Sequence, residues 1–117
     1  MNAEFNVDNW ATQLRKGLLE LCILNIVAQE EVYGYDLVKR LTELPGLGIA
    51  EGSIYPLLSR MRKSGLLGAR LEESPTGPAR KYYALTEEGR KCWQTMNTHW
   101  DSLAGGIQGL RNGGGKR

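Results

Sequence analysis

The stretch "EGSIYPLLSRMRKSGLL", from Glu51 to Leu67, sorts two kinds of side chain onto two faces. Ile54, Leu57, Leu58 and Met61 recur at the i, i+3, i+4, i+7 spacing of a buried helical stripe. The opposite face carries Gly52, Tyr55, Pro56, Ser59 and Lys63, with Ser53, Arg60 and Arg62 at its margins. Small residues at the front of a helix permit close approach to a duplex, and Ser, Tyr, Arg and Lys offer donors to phosphates and base edges. The chemistry implied is contact with a polyanion, not bond-making.

Catalysis has little to build on. Nucleophilic or acid–base sites need converging groups, and the chain has a single histidine, His99, no metal-spaced Cys and His cluster and no phosphate loop. No catalytic residue, metal site or cofactor is therefore expected. Cys22 and Cys92 each fall inside an apolar helical pattern, which reads as buried reduced thiols of a cytoplasmic protein. The start "MNAEFNVDNW" is not that of a secretory signal, and the apolar run Leu19 to Ala28 is far short of a membrane span.

The formal net charge of +2 on 117 residues is mild, so polyanion binding depends on where the charges lie. Between Arg60 and Lys91 there are eight basic residues (Arg60, Arg62, Lys63, Arg70, Arg80, Lys81, Arg90, Lys91) against four acidic ones (Glu72, Glu73, Glu87, Glu88). A dimer presenting two copies to one duplex would double that excess, and roughly 6 to 10 phosphate contacts make binding steeply salt-dependent.

The elements that position these residues follow from periodicity and punctuation. Trp10 to Gln29 predicts a first helix whose apolar residues, among them Leu14, Leu18 and Leu21, run nearly all the way round; one face then suits a second subunit. Leu37, Val38 and Leu41 mark a short second helix ended by Pro45 and Gly46. The third helix starts either at Ser53 as cap, which suits Pro56, or near Glu51 with one lost hydrogen bond. Gly65 ends it as a left-handed cap with Leu66 folding back.

Two extended runs, Leu67 to Glu73 and Arg80 to Leu85, flank "SPTGPA", which predicts a hairpin with a long loop, Tyr83 and Leu85 facing the core. Thr86 caps a fourth helix, with Glu87 and Glu88 in its first turn. There Trp93, Met96, Trp100, Leu103, Ile107 and Leu110 form a heptad seam, the pattern of pairing with another long helix. Gly105, Gly106 and Gly109 each weaken that helix by roughly 1 kcal/mol, leaving its end open.

The fold class expected is mainly α with a small β-hairpin: a flexible start at residues 1–9, a winged helix-turn-helix over 10–85, a dimerisation helix over 86–111 and a disordered tail at 112–117. In a helix-turn-helix the second helix of the pair enters the major groove.

Three segments, "YGYDLVKRL", "GSIYPLLSRMRKSGLL" and "RKYYALTEEGR", in this order and spacing, resemble the PadR-like transcriptional regulators; the likeness covers Arg15 to about Leu110. The resemblance implies a dimeric bacterial repressor that binds double-stranded DNA at a palindromic operator, with the C-terminal helix pairing across the dimer. Its motif positions place Tyr35, Ser53, Tyr55 and Lys81 at or near DNA. Some members release DNA when phenolic acids or flat aromatic drugs bind between the subunits, and Trp100 matches an aromatic position lining that space. Two departures stand out: the wing "TGPARKYY" is lightly basic, and Ala84 replaces what is often a basic residue. The short fourth helix is similar to that of the single-helix subgroup.

Together these readings assign DNA contact to Tyr35, Gly52, Ser53, Tyr55, Pro56, Ser59, Arg60, Lys63, Arg80 and Lys81. They assign the homodimer interface to Leu14, Leu18, Leu21, Trp93, Met96, Trp100, Leu103, Ile107 and Leu110, and a small aromatic or planar effector to Trp93, Met96 and Trp100. The rival reading is a winged-helix protein-interaction module that does not bind DNA.

Overall fold

The computed structural model describes residues 4–113. Its elements run α1 (Val7–Val27), β1 (Val32–Tyr33), α2 (Gly34–Thr42), α3 (Glu51–Lys63), β2 (Leu67–Ser74), β3 (Gly77–Leu85) and α4 (Glu87–Arg111). The strands form one antiparallel sheet in the order β1-β3-β2. This is the expected winged helix with a long fourth helix appended.

The core lies where α1, α2 and α3 meet. Ile23, Leu24, Leu37, Leu41, Ile54 and Leu58 are wholly buried, and Met61 and Tyr83 join them. The stripe read in α3 is thus the core stripe. Alternation along β3 puts Tyr83 on the core side, paired with Val32 and Ala69, and turns Arg80 and Tyr82 to the outer face.

Three expectations are corrected. The start at residues 1–9 is not wholly flexible: Asn6 accepts a hydrogen bond from the Asn9 amide at 2.9 Å and caps a helix that begins at Val7, three residues before Trp10. The hairpin has no long loop. Its strands continue to the pair Ser74↔Gly77, with Pro75 and Thr76 at the turn, and a bulge absorbs Pro78, which has no amide to give to the ladder. Strand β1, only two residues long, carries no periodicity and was not anticipated. The fourth helix runs through its glycines to Arg111; the tail expected at 112–117 lies outside the described residues from 114 onward.

The end of α3 and the start of α4 meet at one backbone junction. Helix α3 ends in a Schellman turn, with Gly65 at φ 85°, its amide donating to the Arg62 carbonyl at 3.0 Å and the Leu66 amide to the Met61 carbonyl at 3.0 Å. The Leu66 carbonyl then receives the Thr86 amide at 3.2 Å. The Thr86 hydroxyl donates to the Gly65 and Leu66 carbonyls and accepts from the Gly89 amide at 2.9 Å. Gly89 is buried against Leu66, and a Cβ there would collide with the Leu66 carbonyl oxygen. Further along, the Trp93 indole N–H and the Asn97 amide both donate to Asn25 Oδ1, at 2.7 and 3.0 Å, fastening α4 to α1.

Because backbone and not a flexible side chain stands opposite Gly89, Gly89→Ala is expected to lower stability by about 1–3 kcal/mol. Thr86→Ala should cost about 0.5–2 kcal/mol through the lost cap. Urea unfolding followed by tryptophan fluorescence measures both; an unchanged midpoint for Gly89→Ala would mean that α4 does not sit on Leu66.

Candidate nucleic-acid interface

Helix α3 begins at Glu51 with Ala50 as cap, no side chain bonding across it, so the start near Glu51 is the one adopted and Pro56 lies inside the helix. Proline has no amide, and the Gly52 carbonyl, four residues back, is left without its helical donor. That carbonyl stays satisfiable because the front of the helix is open to solvent: a Cβ on Gly52 would meet nothing within 4 Å. Ser53, Tyr55, Pro56, Ser59, Arg60 and Lys63 are exposed alongside it, and Tyr55 keeps 47% of its surface. The exposed face of α3 is small at its N-terminal end and cationic at its C-terminal end.

Tyr35 stands exposed in the first turn of α2. Gly34 before it allows that helix to start hard against the sheet, since a Cβ there would press on the Tyr83 ring at 3.1 Å and the Lys81 carbonyl at 3.4 Å. The Tyr35 ring lies 6.0 Å from that of Tyr33, which is 5.6 Å from Tyr82. Arg80 sits over Tyr33, 5.1 Å from its centroid, so Tyr35 and Arg80 both neighbour Tyr33, a residue outside those assigned to DNA contact from the sequence. Lys81 is exposed on the opposite face of β3 from Arg80.

The other wing arginine is engaged. Arg70 donates to Glu31 at 2.8 and 2.7 Å and to Glu72 at 2.9 Å, and lies 4.8 Å over the Tyr82 ring. Its hydrogen bonds hold the Glu31 carboxyl below the usual carboxylate range, and the two carboxylates raise the guanidinium further above its own. Glu31 lies next to the two-residue β1 and opposite no residue that its own stretch of sequence identifies, so the pair left no signal in the chain. Burial pushes the Tyr83 phenol up, with Arg62 acting in the opposite direction.

Helices α1 and α4 leave apolar residues uncovered. Leu14, Trp100, Leu103, Ile107 and Leu110 are exposed, Leu110 by 81%, and Phe5, Val7 and Trp10 extend the surface beyond the residues expected there. A depression of about 220 Å³ between the two helices is lined by Leu18, Leu21, Met96, His99, Trp100 and Leu103, with Gly17 at its edge. Leu21 is buried within its own chain. Trp93, expected beside Trp100 in an effector site, is not in this depression: its indole N–H is committed to Asn25, and Arg90 lies 5.8 Å from its ring. Burial raises the Cys22 thiol pKa, as befits an unreactive thiol.

Among the described residues no helix is long and apolar enough to cross a membrane, and no group of three His, Cys, Asp or Glu side chains is placed to hold a metal.

Comparison with known proteins agrees with this architecture. Residues 23–95 match the sequence model of the "Transcriptional regulator PadR-like family". The crystal structure of a PadR-like transcriptional regulator from Bacillus cereus strain ATCC 14579 is 43% identical, covers 84% of this chain and 95% of its own, and superposes with a TM-score of 0.75. Bacillus subtilis PadR in complex with operator DNA is 26% identical, covers 68% of this chain and 46% of its own, with a TM-score of 0.60. The transcriptional regulator YqjI of Escherichia coli is 35% identical over 83 residues, which are 69% of this chain and 38% of that protein's length. With a family match over more than half its length and a near full-length structural relative, the chain belongs to the PadR-like family of transcriptional regulators.

Proposed function

We propose that this protein is a sequence-specific, DNA-binding transcriptional repressor that acts as a homodimer on a palindromic operator. The observation that carries the reading is the exposed face of α3, open at Gly52 and lined with Ser53, Tyr55, Ser59, Arg60 and Lys63, together with the exposed Tyr35, Arg80 and Lys81. The operator complex of Bacillus subtilis PadR supports it, since that relative shares the fold. In this reading residues 10–85 form the DNA-binding unit and 86–111 the pairing helix. Two α3 helices enter successive major grooves about 34 to 36 Å apart. The protein works in the cytoplasm, where DNA is accessible to it.

Pairing through α1 and α4 would cover the uncovered stripe of Leu14, Trp100, Leu103, Ile107 and Leu110. Two copies of the depression at Trp100 and Met96 would then face each other, enclosing space for a small aromatic or planar effector. An effector bound there acts only through a difference in affinity between the DNA-competent arrangement and another.

Three outcomes are expected. Selection from a random duplex pool should return a two-fold symmetric site, and log affinity should fall linearly with log salt; Arg60→Ala and Lys63→Ala should each reduce the slope by about 0.9 per bound protomer. A flat salt response would favour a protein-interaction module instead. Leu103→Glu with Ile107→Glu should sediment as a monomer and lose specific binding, whereas a dimer that survives both changes places the interface elsewhere. Phenolic compounds or planar cationic dyes should quench tryptophan fluorescence in the parent protein and not in Trp100→Leu; equal quenching of the two would remove Trp100 from any effector site.

A further inference from the structure

The outer face of the wing carries a mosaic of rings and guanidinium groups that DNA contact by a bare arginine does not require. Strand register sets Tyr33 opposite Tyr82, Tyr82 opposite Arg70, and Glu72 directly opposite Arg80. A carboxylate facing an arginine across two strands is the usual partner for it. Here Glu72 accepts from Arg70 instead, at 2.9 Å, and Arg70 also takes Glu31. Arg80 has no ion pair among the described residues and lies 5.1 Å over the Tyr33 ring.

A guanidinium held over an aromatic ring keeps N–H groups free for an anion, and the contact limits the rotamers it must give up on binding. We propose that Tyr33 is a positioning residue for DNA binding: it holds the Arg80 guanidinium over its ring, available to a backbone phosphate, while Arg70 withdraws from Arg80 the carboxylates that would neutralise it. The arrangement gives a lightly basic wing one strong phosphate contact per protomer. This inference rests on the DNA-binding reading above.

The test is a salt series with a mixed-sequence duplex of about three helical turns, measured for the full chain and its variants. Tyr33→Leu and Arg80→Ala should each flatten the slope of log affinity against log salt by about 0.9 per bound protomer, about 1.8 for the dimer, so that a fourfold rise in salt costs each variant dimer about 12-fold less affinity than it costs the parent. The double variant should match either single, and Tyr33→Phe, which keeps the ring, should match the parent. A merely structural Tyr33 would lower the melting temperature and leave the slope unchanged; that result overturns the proposal, as does Arg80→Ala with the parent slope. Should Tyr33→Leu fail to fold, Tyr33→Val removes the ring with a side chain suited to a strand. Independently of any variant, the Arg80 Nε–H resonance of the parent should lie upfield under the ring current and shift on adding duplex; no shift overturns the contact. A parent protein that retains no duplex in dilute salt would instead overturn the DNA-binding reading itself, an outcome separable from the others because no variant is then needed to see it.

Discussion

The backbone carbonyl of Leu66 is the point at which the two halves of this molecule are joined. It belongs to the residue whose amide closes the turn that ends α3, it receives the Thr86 amide at the start of α4, and its oxygen occupies the space that any side chain at position 89 would need. Backbone groups give little: unlike the tip of a flexible side chain, they cannot swing aside to relieve a clash. The direction of α4 is therefore fixed relative to the end of α3, within the tolerance of one capping threonine and one glycine. Asn25 repeats the constraint further along by holding Trp93 and Asn97 against α1. The end of α3 and the start of α4 are thus held in one fixed geometry by backbone contacts.

The same economy governs charge. A net charge of +2 is too small for affinity to come from the whole surface, so the cationic groups must be used individually. The structure spends one arginine, Arg70, on bracing the sheet edge and leaves another, Arg80, over the Tyr33 ring with no ion pair among the described residues. Contact with DNA then depends on placement. That agrees with a helix front kept small by Gly52 and Ser53 and with Pro56 tolerated inside α3 at the cost of one backbone hydrogen bond on an exposed face.

Elements whose physics is local were legible in the chain. The buried stripe of α3, the left-handed Gly65, the Thr86 cap and the inward Tyr83 each depend on residues a few positions apart, and each was found where periodicity or capping put it. What escaped was set by distant partners. Strand β1 exists because Val32 and Tyr33 find β3 some fifty residues on, and two residues hold no pattern of their own. Helix α1 starts early because Asn6 caps it, a signal present in the chain but read as part of a polar, unstructured start. The hairpin loop is shorter than the Pro, Gly and Ser cluster predicts because a bulge accommodates Pro78 within β3. Trp93 shared the heptad spacing of Trp100, yet its indole N–H needed a partner and found Asn25, sixty-eight positions away. Sequence spacing cannot distinguish a ring facing a second subunit from one satisfied within its own.

The claim on which this account turns is that the pairing helices hold two reading helices at a set separation. Spin labels on Ser64→Cys, exposed at the C-terminal end of α3, in a chain with Cys22 and Cys92 replaced by Ala, report that separation directly by pulsed electron resonance. A dimer on its duplex should give one narrow distance between protomers, centred near the spacing of successive major grooves, about 34 to 36 Å. A broad distribution, or no interprotomer signal with DNA bound, would contradict it.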